Sequence, residues 1–110
     1  MGGSTYTEGG FVSLEAAIEG ANKLWATFGP ENITSNALRP FGASSVDGFD
    51  FNFEALVKNM VDFAKQLRTL MDAAATSGKK YYLSAAPQCP YLDVNNDELL
   101  TNVDFDLVNV

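Results

Sequence analysis

The stretch Val46-Asp47-Gly48-Phe49-Asp50-Phe51-Asn52-Phe53-Glu54 decides the fold. Large apolar and polar residues alternate from Phe49 to Glu54, which is the period of a β-strand, so a strand is predicted over 46–53. Phe49, Phe51 and Phe53 then share one face, and Asp50, Asn52 and Glu54 share the other. Same-face neighbours are about 6.5–7 Å apart along such a strand. Taken alone, the pattern describes a strand with its phenylalanines inward and its polar face in water.

The flanking segments have the helical period instead. Upstream, Ser13 is placed to cap a helix. Leu14, Ala17, Ile18, Ala21, Leu24, Trp25 and Phe28 form one apolar stripe, and Gly29-Pro30 stops it. Trp25 could stack on a sugar, but it is in phase with Leu24 and Phe28 and is read as core. Residues 29–45 form a linker rich in Gly, Pro, Ser and Asn. It contains Asn32-Ile33-Thr34, a glycosylation sequon that matters only in a secreted chain and that also arises by chance.

Downstream, Leu56, Met60, Phe63, Leu67, Leu70, Met71 and Ala74 share the face of a second helix. Gly78 ends it, with Lys79 and Lys80 near its negative end. A second strand is predicted over 81–86 and is broken by Pro87, Cys89 and Pro90. A short helix is predicted over 95–102 and a third strand over 105–110, with Phe105, Leu107 and Val110 as core residues. The opening eleven residues carry four glycines and read as a loop, without the basic head and apolar stretch of a signal peptide. Neither GxxxxGK[ST] nor GxGxxG occurs, so no phosphate loop is indicated.

Strands alternating with helices imply an α/β fold with a parallel sheet, because parallel neighbours need crossover connections. Both faces of such a sheet are normally covered, so Asp50, Asn52 and Glu54 are expected to point into protein or into a cavity. Burying carboxylates is costly unless they pair, hydrogen-bond or protonate, and a strand that bears this cost is often part of a site. Glu54 stands at the strand's C-terminal end, where α/β enzymes place their chemistry. Like-charged neighbours and low dielectric would raise its pKa and suit it to act as a general acid. Magnesium binding is a rival use of Asp50 and Glu54. A third strand with no helix after it leaves exposed sheet edges, so self-association is expected and the chain reads as part of a larger α/β protein.

Composition narrows the chemistry further. The 110 residues allow one domain, and 14 acidic against 7 basic residues give a net charge of −7. Nucleic acid and anionic membrane surfaces are therefore not expected partners. No histidine is present, which removes Ser-His-Asp and Cys-His catalysis and histidine metal sites. One cysteine, Cys89, excludes a disulfide framework, a four-cysteine zinc site and a CxxC pair within the chain. No apolar run is long enough to span a bilayer. Carboxylates, tyrosines and hydroxyls remain, and no cofactor is implied.

Asp47-Gly48-Phe49-Asp50-Phe51-Asn52-Phe53-Glu54 resembles the DGxDxDxE signature of glycoside hydrolase family 18, the chitinases. Tyr81-Tyr82-Leu83 followed by Ala85-Ala86-Pro87-Gln88-Cys89-Pro90-Tyr91 is similar to the next strand and loop of the fungal and plant class III branch. Gly2-Gly3-Ser4-Thr5-Tyr6 looks like the end of the family's SxGG strand. Phe105-Asp106-Leu107-Val108-Asn109-Val110 resembles the approach to its QxYN strand.

The resemblance implies a partial (β/α)₈ barrel, from the end of the third strand to the start of the sixth, with residues 1–110 a single segment of the catalytic domain. It implies extracellular hydrolysis of β-1,4 bonds between N-acetylglucosamine units, in chitin or chito-oligosaccharides, with retention and with the substrate's acetamido oxygen as nucleophile. Glu54 would protonate the leaving oxygen. Position 52 would hold the acetamido N–H and balance the oxazolinium charge, and Asp50 would support it. Asp47 and Gly48 would open the motif structurally, and Gln88 and Tyr6 would contact substrate. The family has an acid where this chain has Asn52, and a neutral amide there predicts an inactive chain. A non-catalytic chito-oligosaccharide-binding protein is the alternative. An unrelated magnesium-dependent α/β module fits the motif spacing poorly. The cysteine matching Cys89 pairs with a later one in secreted members, so Cys89 is expected to be a free thiol here.

Overall fold

In the computed structural model the described residues are 2–3, 11–32, 34–53, 59–75, 78–86 and 102–108. The element order is β1 (Gly2–Gly3), α1 (Leu14–Phe28), β2 (Gly48–Phe53), α2 (Met60–Ala75), β3 (Tyr82–Ala85) and β4 (Leu107–Val108).

Each helix end has a local cause. Ser13 is extended, with φ −154° and ψ 166°, and its Oγ accepts from the Ala16 N–H at 3.1 Å, so α1 begins there. At the other end the Gly29 N–H donates to Trp25 O at 2.7 Å. Arg39 then reaches back across the linker. Its guanidinium donates to the carbonyls of Ala26 (2.8 Å), Gly29 (2.7 Å), Gly42 (2.7 Å) and Ser44 (3.0 Å). A cation thereby satisfies carbonyls at the negative end of α1. Asn59 precedes α2 in the left-handed region, at φ 56°, which asparagine tolerates better than most residues. Its amide donates to Phe11 O, and the Phe11 ring stacks on Phe63 at 5.2 Å. The predicted helical positions before Asn59 lie outside the described residues. Gly78, at φ 104°, follows the helix.

The sheet is four-stranded and parallel, in the order β1-β2-β3-β4. Its first strand corrects the loop expected of the opening residues: Gly2 pairs with Asn52 and Gly3 with Phe53. Glycines carry no alternation to read, and the partner's backbone ladder makes the strand. The end-of-strand resemblance of Gly2-Gly3 agrees with this pairing.

Both helices lie on the phenylalanine face. Trp25 of α1 meets Phe49 at 6.5 Å, and Phe51 meets Phe63 of α2 at 6.0 Å and Phe105 at 5.9 Å. Phe51, Leu67, Met71 and Leu83 are fully buried there. Each such side chain contributes roughly 1.5–3 kcal/mol of burial free energy. Trp25 also makes an edge contact with Tyr81 at 5.0 Å, so it packs with the core as expected.

The two described helices thus pack on one face of the sheet. Strands added in one direction by right-handed crossovers place successive helices on the same side. A second correction concerns Leu107, which was expected in the core and is 60% exposed on the edge strand β4. Val103 and Phe105, just before it, take the packing positions. Val110 lies outside the described residues, as does the predicted helix over 95–102 except for Asn102.

Candidate functional site

On the face of β2 away from the helices, Asp50 stands in register with Ser84 of β3. Ser84 Oγ donates to Asp50 Oδ1 at 2.7 Å, and both residues are half-buried. The neighbouring register pairs, Phe49 with Leu83 and Phe51 with Ala85, belong to the core face. Asp50 and Ser84 are thus the polar pair that the pleat directs away from the core. Two residues on, the backbone of Asn52 pairs with Gly2, so β1 supplies no side chain beside position 52. Glu54, Tyr6 and Gln88 lie outside the described residues.

Asp47 and Gly48 stand at the opposite end of β2. The Asp47 side chain is exposed and forms an ion pair with Lys79 at 3.2 Å, and its carbonyl accepts from the Tyr82 N–H at 2.9 Å. Lys79 also donates to the carbonyls of Ser45 and Val46, each at 3.3 Å. A Cβ at Gly48 would fall on the Tyr82 carbonyl group, 2.8 Å from its carbon. Only glycine lets β2 and β3 approach this closely here. Among the described residues no three acidic or cysteine side chains converge as a metal site would need.

Three polar side chains hold this region without having been singled out in the sequence. Ser84 interrupts an apolar strand, and its register opposite Asp50 is a tertiary fact. Arg39 lies in a linker whose composition reads only as irregular. Asp106 lies just before β4. Its Oδ2 accepts from the Leu83 N–H at 2.9 Å and meets Arg68 Nη1 at 2.7 Å, while its own N–H donates to Leu83 O at 2.8 Å. Burial alone would raise the Asp106 pKa. The Leu83 N–H and the Arg68 guanidinium outweigh that cost, and the carboxyl lies below its ordinary value. The Arg68 pKa is raised, since bonds to Asp106 and Asp72 outweigh the opposing effect of burial. No described helix is long and apolar enough to cross a membrane.

No family model matches the chain. Curated relatives do. A class III chitinase of Arthroderma benhamiae is 59% identical over 101 residues, covering 91% of this chain and 30% of that protein. Endochitinase 33 of Trichoderma harzianum is 46% identical over 110 residues, covering 100% of this chain and 34% of that protein. The chain thus spans about a third of the length of these relatives. Among solved structures, the ICChI chitinase from Ipomoea carnea superposes with a TM-score of 0.67 at 32% identity, covering 87% of this chain and 34% of that one. A xylanase and amylase inhibitor protein, XAIP-III, superposes with a TM-score of 0.70 at 30% identity over the same shares. Over the third of their length that it spans, the chain belongs to the family of the class III chitinases.

Proposed function

We propose that residues 1–110 form one arc of a (β/α)₈ barrel of the chitinase type, from the end of its third strand to the start of its sixth. The observation that carries this reading is the placement of Asp50. It sits on the face of β2 away from the two described helices, held by Ser84, within a DGxDxDxE-like run that ends at Glu54. In a barrel that face is the interior, and the strand's C-terminal end opens on the site. The monotonic strand order and the one-sided helices support the same arrangement.

The reaction class is hydrolysis of β-1,4 bonds between N-acetylglucosamine units, in chitin or chito-oligosaccharides, outside the cell. Glu54 is the general acid, and Gln88 and Tyr6 contact substrate. Asp50 supports position 52. There Asn52 retains an amide that can hydrogen-bond the substrate acetamido group but has no charge to balance the oxazolinium cation. The chain is accordingly read as catalytically weak or inactive. The neutral residue at 52 also favours a second reading, that of a non-catalytic chito-oligosaccharide-binding protein, and the likeness to a protein named as an inhibitor points the same way.

Chito-oligosaccharide binding measured beside turnover tests both readings. Binding without turnover supports the second, and turnover abolished by Glu54→Gln supports the first. Neither binding nor turnover, in a full-length barrel containing this segment, would overturn both.

A further inference from the structure

The linker after α1 carries Asn32-Ile33-Thr34, an Asn-X-Thr triplet whose middle residue is not proline. Asn32 and Thr34 are both exposed. Asn32 Oδ1 accepts from the Thr34 N–H at 3.0 Å and from Thr34 Oγ1 at 2.7 Å. This Asx-type turn engages the amide oxygen and does not use the amide nitrogen, Nδ2. The threonine hydroxyl that defines the triplet is thus already beside the asparagine amide.

Asn32 also borders a pocket of about 430 Å³ between α1, α2 and the linker. Trp25, Pro30 and Leu70 supply apolar surface, and Asn22, Glu31 and Ser35 supply hydrogen-bonding groups. Its size falls within the roughly 300–1,000 Å³ range of small-molecule sites, and its mixed lining suits a ring with apolar and hydroxylated surfaces. The pocket opens on the helix side of the sheet, away from Asp50 and Ser84.

We propose that Asn32 is an N-glycosylation site and that the first sugar of its glycan packs into this pocket beside Trp25. In the transfer, Nδ2 attacks C1 of the first sugar of a polyprenyl-pyrophosphate-linked oligosaccharide. The C1–Nδ2 bond forms, the C1–O bond breaks, Nδ2 loses one proton, and the polyprenyl pyrophosphate leaves with the bonding electron pair. Donor and transferase belong to the secretory route, so the proposal rests on the reading of the chain as extracellular.

The test compares the natural protein with the same chain sent through a yeast secretory route by an added leader. Peptide N-glycosidase should increase the mobility of the leader-directed protein and leave Asp at position 32, read by peptide mass spectrometry. Asn32→Gln and Thr34→Ala should each give the faster band untreated. A secreted, folded chain carrying no glycan at Asn32 overturns the site. If the leader-directed chain is modified and the natural protein is not, the site stands and the extracellular reading fails. The chain has a single tryptophan, so its fluorescence reports on the pocket. Acrylamide quenching of Trp25 should be about halved in the glycosylated form, as expected for a sugar seated in a pocket. Equal quenching before and after glycan removal overturns the packing.

Discussion

Ser84 Oγ donates a 2.7 Å hydrogen bond to Asp50 Oδ1 across the β2–β3 register. The bond joins a hydroxyl to a carboxylate in a half-buried setting, where such bonds are worth about 1.5–3 kcal/mol. Ser84→Ala is expected to lower stability by about 1–2 kcal/mol, read as a shifted urea midpoint with an unchanged slope. Ser84→Thr keeps the hydroxyl and should recover most of the loss. Equal midpoints for wild type and Ser84→Ala would show that the bond contributes nothing to the fold.

Position 52 bears on rate. Replacing Asn52 by Asp restores a charge where the oxazolinium would form, and preorganised groups of this kind are typically worth about 10²–10³ in rate. In a full-length barrel built around this segment, Asn52→Asp should raise kcat on a soluble chito-oligosaccharide by about two orders of magnitude. Glu54→Gln should abolish what remains. Equal turnover by parent and Asn52→Asp would show that the amide's hydrogen bond suffices.

Two glycines separate steric crowding from backbone strain. Gly48→Ala places a methyl group on the Tyr82 carbonyl and should split the β2–β3 pairing. Gly42→Ala meets nothing within 4 Å and suffers only its φ of +61°. A loss of about 1 kcal/mol is expected at Gly42, and loss of soluble folded protein at Gly48. Comparing the two by thermal melting and soluble yield checks the order. A reversed order would refute the close-approach argument.

Asp106 carries a pH signature. Its folded-state pKa lies below the ordinary value of 3.8, so the unfolded chain takes up this proton first as the solution is acidified. The stability it contributes is fully present above that ordinary value and is lost as pH falls through the lower, folded value. Asp106→Asn can still accept from the Leu83 N–H but loses the charge facing Arg68. The variant should be less stable than wild type near neutrality, and the gap should narrow on acidification below the ordinary carboxylate range. Urea midpoints across that range decide it. A gap that stays constant with pH would assign the effect to packing.

Much of this architecture was legible because hydrophobic period is a local signal. The stripe from Leu14 to Phe28 and the alternation from Phe49 to Phe53 each specify one element, and the structure contains both. Three features were not legible for physical reasons. Leu107 is apolar enough for a core position, yet an edge strand has a neighbour on one side only. The side on which a helix packs follows from crossover handedness, which no residue type encodes. Ser84 acquires its meaning only from the register that sets it opposite Asp50. Of the candidate site, the DGxDxDxE-like run was readable as a motif. Its end at Glu54, with Tyr6 and Gln88, falls outside the described residues.

The Arg39 guanidinium has a consequence for how this connection can change over time. By binding carbonyls from Ala26 to Ser44 it divides one long excursion into two shorter ones, before and after position 39. Lengthening a loop whose ends are already pinned costs little, since closure entropy grows only logarithmically with length. Extra residues between Asn36 and Leu38 would bulge outward and leave the entry to β2 undisturbed. Extra residues between Pro40 and Ala43 would pull apart the carbonyls that the guanidinium gathers. Past the Asn32 triplet and Ser35, the first half of the connection is therefore open to insertion, while the second is bound to constant length by a single side chain.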